Sequence, residues 1–398
     1  MDQMTAVDGF ANRPATRRTF LAMTAAAGTG LMASAALGGL ARPGRMTRAM
    51  HEPVEKASNP IRLLVLGGTG FLGPQIVEHA VARGHTVTLF NRGRTRPHLF
   101  ENLEKLEGDR DPKVGEGLKA LEGDREWDAV VDTSGYVPRI VDASASLLKD
   151  RVKHYSFVSS ISVYADHSKP DMNEDDPVGQ LTDPTVERVD GETYGPLKAA
   201  CERAAEAAMP GRVANVRPGL LVGPGDPTDR FTYWPARIAR GGEVLCPNSP
   251  NDPMQYIDAR DLGAWLVHLA ENRTAGVFNA VGPFEGTTIG EVCNLCKDVS
   301  GSDATLTWVP WEFLREQGVT PWQEMPAWVP PEGDSAGFGR RSFAKAKAAG
   351  LTTRPVRDTI AGTLEYWKSL PEERRSRLRA GIAADKEARV LKAWREKA

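Results

Sequence analysis

Between Ile61 and Gly73 the chain reads IRLLVL and then, at once, GGTGFLG. A short apolar run of this kind fits a strand buried on both faces of a parallel sheet, and the glycines directly after it predict a tight turn. Pro74 suits a first helical turn. Ile76, Val77, Ala80 and Val81 recur at helical spacing, and Gly84 closes the helix. His85 to Phe90 (HTVTLF) then reads as a second strand. In this order of strand, glycine turn, helix and strand, backbone N–H groups and a helix N-terminus can approach a pyrophosphate. The pattern predicts an α/β fold, a Rossmann-type doubly wound parallel sheet, with a dinucleotide held at Gly67, Gly70, Phe71, Leu72 and Gly73.

The residue ending the second strand normally reads the adenosine ribose, and a carboxylate there would accept from its hydroxyls. Here Asn91 holds that position, followed by Arg92 and Arg94. A guanidinium can pair with a 2'-phosphate, so NADP is favoured over NAD; the plain alternative is a solvated loop arginine. The triplet GDR occurs twice. The first copy, Gly108 to Arg110, is assigned to the end of the third strand, where Asp109 could meet the adenine amino group. The second, Gly123 to Arg125, reads as a turn before a fourth strand, Trp127 to Asp132. Thr133 and Tyr136 follow at the carboxyl end of that strand, beside the expected crevice, as candidates for cofactor and substrate contact.

A fifth strand, His154 to Val158, runs into Ser159-Ser160-Ile161-Ser162-Val163-Tyr164. Tyr194-Gly195-Pro196-Leu197-Lys198 opens a helix rich in Ala and Glu. Residues at i and i+4 share a helical face, so the Lys198 ammonium is expected to lower the pKa of Tyr194 enough for acid–base work near neutrality. Ser160 would hydrogen-bond the same substrate oxygen, with hydride transfer left to the cofactor. An amphipathic surface pair is the bland alternative.

With these residues in view, the chain resembles the short-chain dehydrogenase/reductase superfamily, in particular its extended and atypical branch, the NAD-dependent epimerase/dehydratase family. The matching stretches are GGTGFLG (67–73), SSISVY (159–164), YGPLK (194–198), RPGLLVGPGD (217–226) and QYIDARDL (255–262), and the resemblance spans about 60–370. It implies Tyr194 as the acid–base residue, Lys198 as the anchor of the nicotinamide ribose, and Ser160 as the substrate-polarising serine, with Ser159 and Ser162 as lesser candidates. Some relatives of this branch have lost catalysis and bind RNA or sense nucleotide. Retention of Ser, Tyr and Lys argues against that here.

The resemblance also implies a smaller substrate lobe interleaved with the nucleotide domain. The expected plan is a nucleotide domain at 60–222 completed by 255–280, a lobe at 223–254 and 281–345, and a helical C-terminal region at 346–398. In the lobe, Arg230 is a candidate for a substrate phosphate or carboxylate, with Tyr233 near it. Trp308, Trp311, Trp322 and Trp328 could stack on sugar rings, but covering a helix-poor core is the favoured reading. Cys293 and Cys296 form CxxC within a predicted helix, with no nearby Cys or His pair to complete a metal site; core packing is expected, with a local disulfide as the alternative. The stripe Leu378, Ile382, Val390, Leu391 and Trp394 should dock on the body or on a second subunit, which leaves a homodimer open. With 50 Lys plus Arg against 52 Asp plus Glu, a net charge of −2 gives no electrostatic ground for a nucleic-acid partner.

At the N-terminus, Arg17-Arg18-Thr19-Phe20-Leu21 leads into a mildly apolar run reaching Leu40. It reads as a twin-arginine export signal over 1–35, with Ala33-Ser34-Ala35 as the cleavage site, 36–59 as a linker and the export machinery as a partner. The expected location is periplasmic or extracellular. Outside the cytoplasm no pool recharges a dissociating nicotinamide, so export favours a redox-neutral cycle on a retained cofactor. The expected activity is therefore epimerase- or dehydratase-like, on a hydroxyl or carbonyl carbon of a sugar or nucleotide sugar. A cytoplasmic chain would fit an NADP(H) reductase or dehydrogenase better.

Overall fold

The computed structural model describes residues 54–397, so the arginine pair and the expected export signal lie outside the described residues. Seven strands form one sheet: β1 (Arg62–Leu66), β2 (Thr86–Asn91), β3 (Glu104–Glu107), β4 (Ala129–Asp132), β5 (Tyr155–Val158), β6 (Val213–Pro218) and a seventh, Gly276–Ala280. Every pairing is parallel, in the order seventh, β6, β5, β4, β1, β2, β3. This is the Rossmann-type arrangement. Strand order reverses between β1 and β4, and the crevice outside the carboxyl ends at such a reversal is where open α/β sheets bind ligands.

The apolar run of β1 is buried on both faces, with Leu63 to Leu66 wholly inaccessible. Alternation sends Leu63 and Val65 to one core, Leu64 and Leu66 to the other. On the first face lie α1 (Leu72–Arg83), through Ile76, Val77 and Ala80, and the helix Ala259–Asn272. Gly263 lets these two helices close up: a Cβ there would stand 2.8 Å from the Gln75 carbonyl carbon. On the second face lie α2 (Pro138–Leu148) and α3 (Tyr194–Ala208). Strand limits shift by one or two residues from the expected ones; β4 starts at Ala129 because Trp127 is held outside the ladder, its N–H bonded to the Arg151 carbonyl at 3.1 Å.

A second core fills the lobe, around a parallel pair, Glu243–Pro247 with Thr305–Val309, and the helices Tyr233–Ile238 and Ile289–Ser300. Here the tryptophans act as filling with tethered rims. Trp234 Nε1 donates to the Pro326 carbonyl at 2.7 Å and Trp328 Nε1 to Asp252 Oδ2 at 2.8 Å, while Trp311 meets Trp328 edge to face. Cys246, Cys293 and Cys296 are buried free thiols in this core, so the CxxC packs and no disulfide forms. The C-terminal helix Ala384–Lys397 docks on its own lobe. Val390 and Leu391 are buried, and Glu387 accepts from Arg237 Nε at 2.9 Å and from the Leu245 N–H at 3.1 Å.

Candidate active site

At the crevice the glycine turn is closed on its inner side and open on its outer lip. Gly67 has φ +117°, and a Cβ there would lie 2.3 Å from Thr133 Oγ1; at Gly73 it would strike the Gly68 backbone at 2.4 Å. A Cβ on Gly70 would meet nothing within 4 Å. Thr133 itself is spent on structure, its hydroxyl donating to the Leu66 carbonyl at 2.9 Å. Half-buried Phe71 precedes α1 and Leu72 is buried within it, and the first turn of that helix holds no acidic residue. A lip of free backbone at the positive end of a helix dipole suits a pyrophosphate.

Asn91, expected to face the ribose, is occupied as a brace. Its Nδ2 donates to the Gly67 carbonyl at 3.0 Å and its Oδ1 accepts from the Gly93 N–H at 2.9 Å, tying the end of β2 to the turn. Arg92 and Arg94 are exposed. Arg96, which the sequence reading passed over, lies on the turn: Nε donates to the Thr69 carbonyl at 2.9 Å and Nη2 to the Gly70 carbonyl. Asp109 is half-buried just past β3, its Oδ1 accepting from the Asp111 N–H at 2.9 Å. Its neighbour Arg110 was also missed. Arg110 grips Asp132 with both Nη atoms, at 2.5 and 2.8 Å, and reaches Ser144 Oγ at 2.9 Å, while Tyr155 donates to Asp132 at 2.7 Å. Burial alone would raise the Asp132 carboxyl; the guanidinium holds it below its ordinary value. Only the fold brings the ends of β3 and β4 together, because β1 and β2 lie between them.

Ser160, Tyr194 and Lys198 converge at the carboxyl ends of β4 and β5. Tyr194 opens α3 with its hydroxyl close enough to the Ser160 side chain for that hydroxyl to act on its ionisation. The three serines separate by role. Ser159 Oγ donates to Glu202 at 2.5 Å and is structural; Ser160 Oγ donates to Ser162 Oγ and accepts from the Ser162 N–H, both at 3.1 Å. The expected coupling of Lys198 to Tyr194 needs correction. The ammonium donates to the Gly135 and Val158 carbonyls, each at 2.7 Å, and lies over the rings of Tyr136 at 4.9 Å and Phe157 at 4.6 Å. Burial pushes Lys198 down to about 8. The Tyr194 hydroxyl is driven well above its ordinary value by burial, and what draws it back is the neighbouring Ser160 side chain and the Arg230 cation.

Arg230 therefore faces the site. Its Nε donates to Thr228 Oγ1 at 3.2 Å, its guanidinium lies over Trp322 at 5.2 Å, and among the described residues it has no ion pair. Tyr136 is also present, its ring 6.4 Å from that of Tyr194. Tyr233, expected beside the substrate, is a correction: it is 2% exposed in the lobe core, edge-on to Trp234, because its helix turns that face inward.

The segment that builds this site, residues 63–281, matches the family model described as NAD dependent epimerase/dehydratase. The chain belongs to that family. Its similarity to the cattle (Bos taurus) epimerase family protein SDR39U1 is 27% identity over 244 residues, covering 58% of this chain and 78% of that protein. The fold resembles the crystal structure of human SDR39U1 with NADPH, at a TM-score of 0.52 and 22% identity, over 76% of this chain and 99% of that one. It also resembles UDP-glucuronic acid 4-epimerase from Bacillus cereus in complex with NAD, at 0.56 and 16% identity, over 78% and 97%. In family terms, glycine turn and Ser-Tyr-Lys group both fall inside the matched segment.

Proposed function

We propose that the chain is an NAD(P)-dependent enzyme of the epimerase/dehydratase kind, acting by reversible hydride transfer at a hydroxyl or carbonyl carbon of a sugar or nucleotide sugar. The observation that carries this reading is the meeting of Tyr194, Ser160 and Lys198 at the carboxyl ends of β4 and β5, beside a glycine turn with an open lip. The open lip at Gly70, the acid-free first turn of α1 and a Lys198 donor left over from its two carbonyls all fit a nicotinamide dinucleotide. Such a cofactor supplies the hydride acceptor and donor.

The chain's own residues handle the proton and the positioning. Tyr194, kept protonated by burial, gives its proton to the substrate oxygen in the reducing direction and takes it back in the oxidising one. Ser160 holds the same oxygen. Arg230, whose guanidinium forms no close ion pair among the described residues and feels Asp226 only at longer range, holds an anionic group of the substrate against Trp322. Solved neighbours named for UDP-sugar epimerases support the sugar class.

The N-terminal segment extends the reading: twin-arginine export would deliver a folded protein with its dinucleotide retained, and that suits a redox-neutral cycle. Arg92 and Arg94 favour a second reading, an NADP(H) reductase with an exchanging cofactor. Two measurements decide. Tyr194→Phe should cut turnover by at least about 100-fold with cofactor binding near normal, and unchanged turnover would refute the role of Tyr194. Mass spectrometry of the denatured wild-type protein should find a dinucleotide; a protein that comes empty and binds only added NADPH supports the reductase.

A further inference from the structure

Arg230 sits on a short loop, and what fixes that loop comes from far along the chain. On one side the loop is turned by its own residues. Asp226 Oδ1 accepts from the Thr228 N–H at 2.8 Å and from the Thr228 hydroxyl at 2.7 Å, and Thr228 Oγ1 in turn accepts from Arg230 Nε at 3.2 Å. The other side rests on Asp229. This residue has φ +59°, a left-handed conformation that a non-glycine residue keeps only where its surroundings hold it, and it is 1% exposed.

What holds Asp229 is the segment from Pro371 to Gly381. Arg374 Nη2 donates to both Asp229 oxygens, at 2.6 and 2.7 Å, and the Arg379 N–H adds a third bond at 2.9 Å. Arg379 Nη1 also reaches the Pro227 carbonyl at 2.7 Å. Arg374 is itself fixed, with its guanidinium over Trp367 at 5.1 Å and Nη1 donating to the Arg377 carbonyl at 3.1 Å. Gly381 finishes the contact. Its N–H donates to the carbonyl of Gln323, the neighbour of Trp322, at 2.8 Å. A Cβ on Gly381 would strike the Tyr233 ring, and its φ is +105°, so only glycine lets the segment lie this close. The segment therefore grips both the loop that carries Arg230 and the turn that carries Trp322. It lies outside residues 63–281, the stretch that matches the family model.

None of the bonds from this segment goes to Arg230 itself. They fix the residue before it, and so the direction in which its guanidinium is presented. Misplacing a positioning group by about 1 Å can cost about 100-fold in a reaction. We propose that residues 371–381 form a strap that sets the position of Arg230 for the anionic group of the substrate, with Arg374 as the positioning residue, acting through Asp229. The inference rests on the reading of Arg230 given above and adds to it what orients that residue.

Calorimetric titration of the full-length chain with UDP, a nucleoside diphosphate, tests it without recourse to turnover. Arg230→Ala should weaken UDP binding, which secures the reading on which the strap depends. Arg374→Ala should weaken it by at least about 10-fold, and Arg374→Lys, which keeps a charge opposite Asp229, by less. Made in the Arg230→Ala background, Arg374→Ala should cost nothing further, because a residue that acts through Arg230 then has nothing left to position. Arg395→Ala, which removes a contact of the same tail with Glu243, should leave UDP affinity as in the wild type. Should Arg374→Ala fail to fold, the neutral pair Asp229→Asn with Arg374→Met takes its place, since it strands no buried charge. A folded variant of either kind that binds UDP as the wild type does overturns the strap and leaves the reading of Arg230 standing. So does an equal loss in the Arg230→Ala background or in Arg395→Ala. A wild type that binds no UDP, or an Arg230→Ala protein that binds it unchanged, overturns the reading of Arg230 and the strap together.

Discussion

At the scale of single residues, the site is governed by where buried charge finds its acceptors. The spacing of Tyr194 and Lys198 made their shared helix face legible, but not that the ammonium is claimed by carbonyls of Gly135 and Val158, which come from other elements. Lys198 titrates near 8 in the folded protein against about 10.5 in an ordinary setting. Within that window the unfolded chain binds more protons, so stability should rise with pH from about 8 toward 10.5. Lys198→Met should flatten that rise, as denaturation midpoints measured between pH 7.5 and 10 would show. His154 gives the acid counterpart. Buried and with Nδ1 unpaired, it is pushed down to about 4. Its contribution is lost as pH falls from about 6.5 toward 4, so midpoints over that range should drop in the wild type and less in His154→Gln. Gly67 was legible as a turn glycine; that Thr133 would press on it was not, because Thr133 arrives 66 residues later. Gly67→Ala combines that clash with positive φ and should cost about 1–3 kcal/mol in urea unfolding.

Among elements, those with strong apolar runs, such as β1, β2, β4 and α1, could be read to within one or two residues at each end. β3 could not be bounded that way: its sequence EKLE is half exposed and polar at both ends, and only the GDR after it marked where it stops. The Trp and Pro stretch was ambiguous because the same residues serve a core or a sugar face. The fold buries Trp311, Trp322 and Trp328 alike in the lobe core, and Trp322 also lies under the Arg230 guanidinium. Below the site, Glu202 on α3 takes Arg217 of β6 in two bonds of 2.9 and 2.7 Å and also accepts from Ser159. This buried pair holds α3, with Tyr194 and Lys198, against the strand ends beside Ser160. Glu202→Ala would leave the guanidinium uncompensated, and a loss of about 3–5 kcal/mol is expected in denaturant unfolding. The double replacement Glu202→Leu with Arg217→Met should lose much less.

For the whole molecule, the doubly wound architecture was visible in the sequence, because each strand–helix step carries its own pattern. The docking of the tail was left open between the body and a partner subunit, and complementary contacts decide it: Arg374 to Asp229, Lys386 to Glu324 and Glu387 to Arg237 all tie residues after 371 to the lobe. A chain ending at residue 371 would bare the surface under Ile382, Val390 and Leu391. At about 1.5–3 kcal/mol for each large side chain, thermal melting should fall by many degrees. The seventh strand joins the sheet only after the chain has built the first part of the lobe, and Ala344–Ala348 later returns to place Ala346 in the core on that sheet. No single cut, then, separates a catalytic half from a recognition half. A chain nicked in an exposed loop such as 182–186 should still run as one particle under native conditions and part into fragments only in denaturant. For anyone seeking to transplant the lobe onto a related enzyme, there is no cassette to lift out, and a new specificity would have to be rewritten in several separate stretches at once.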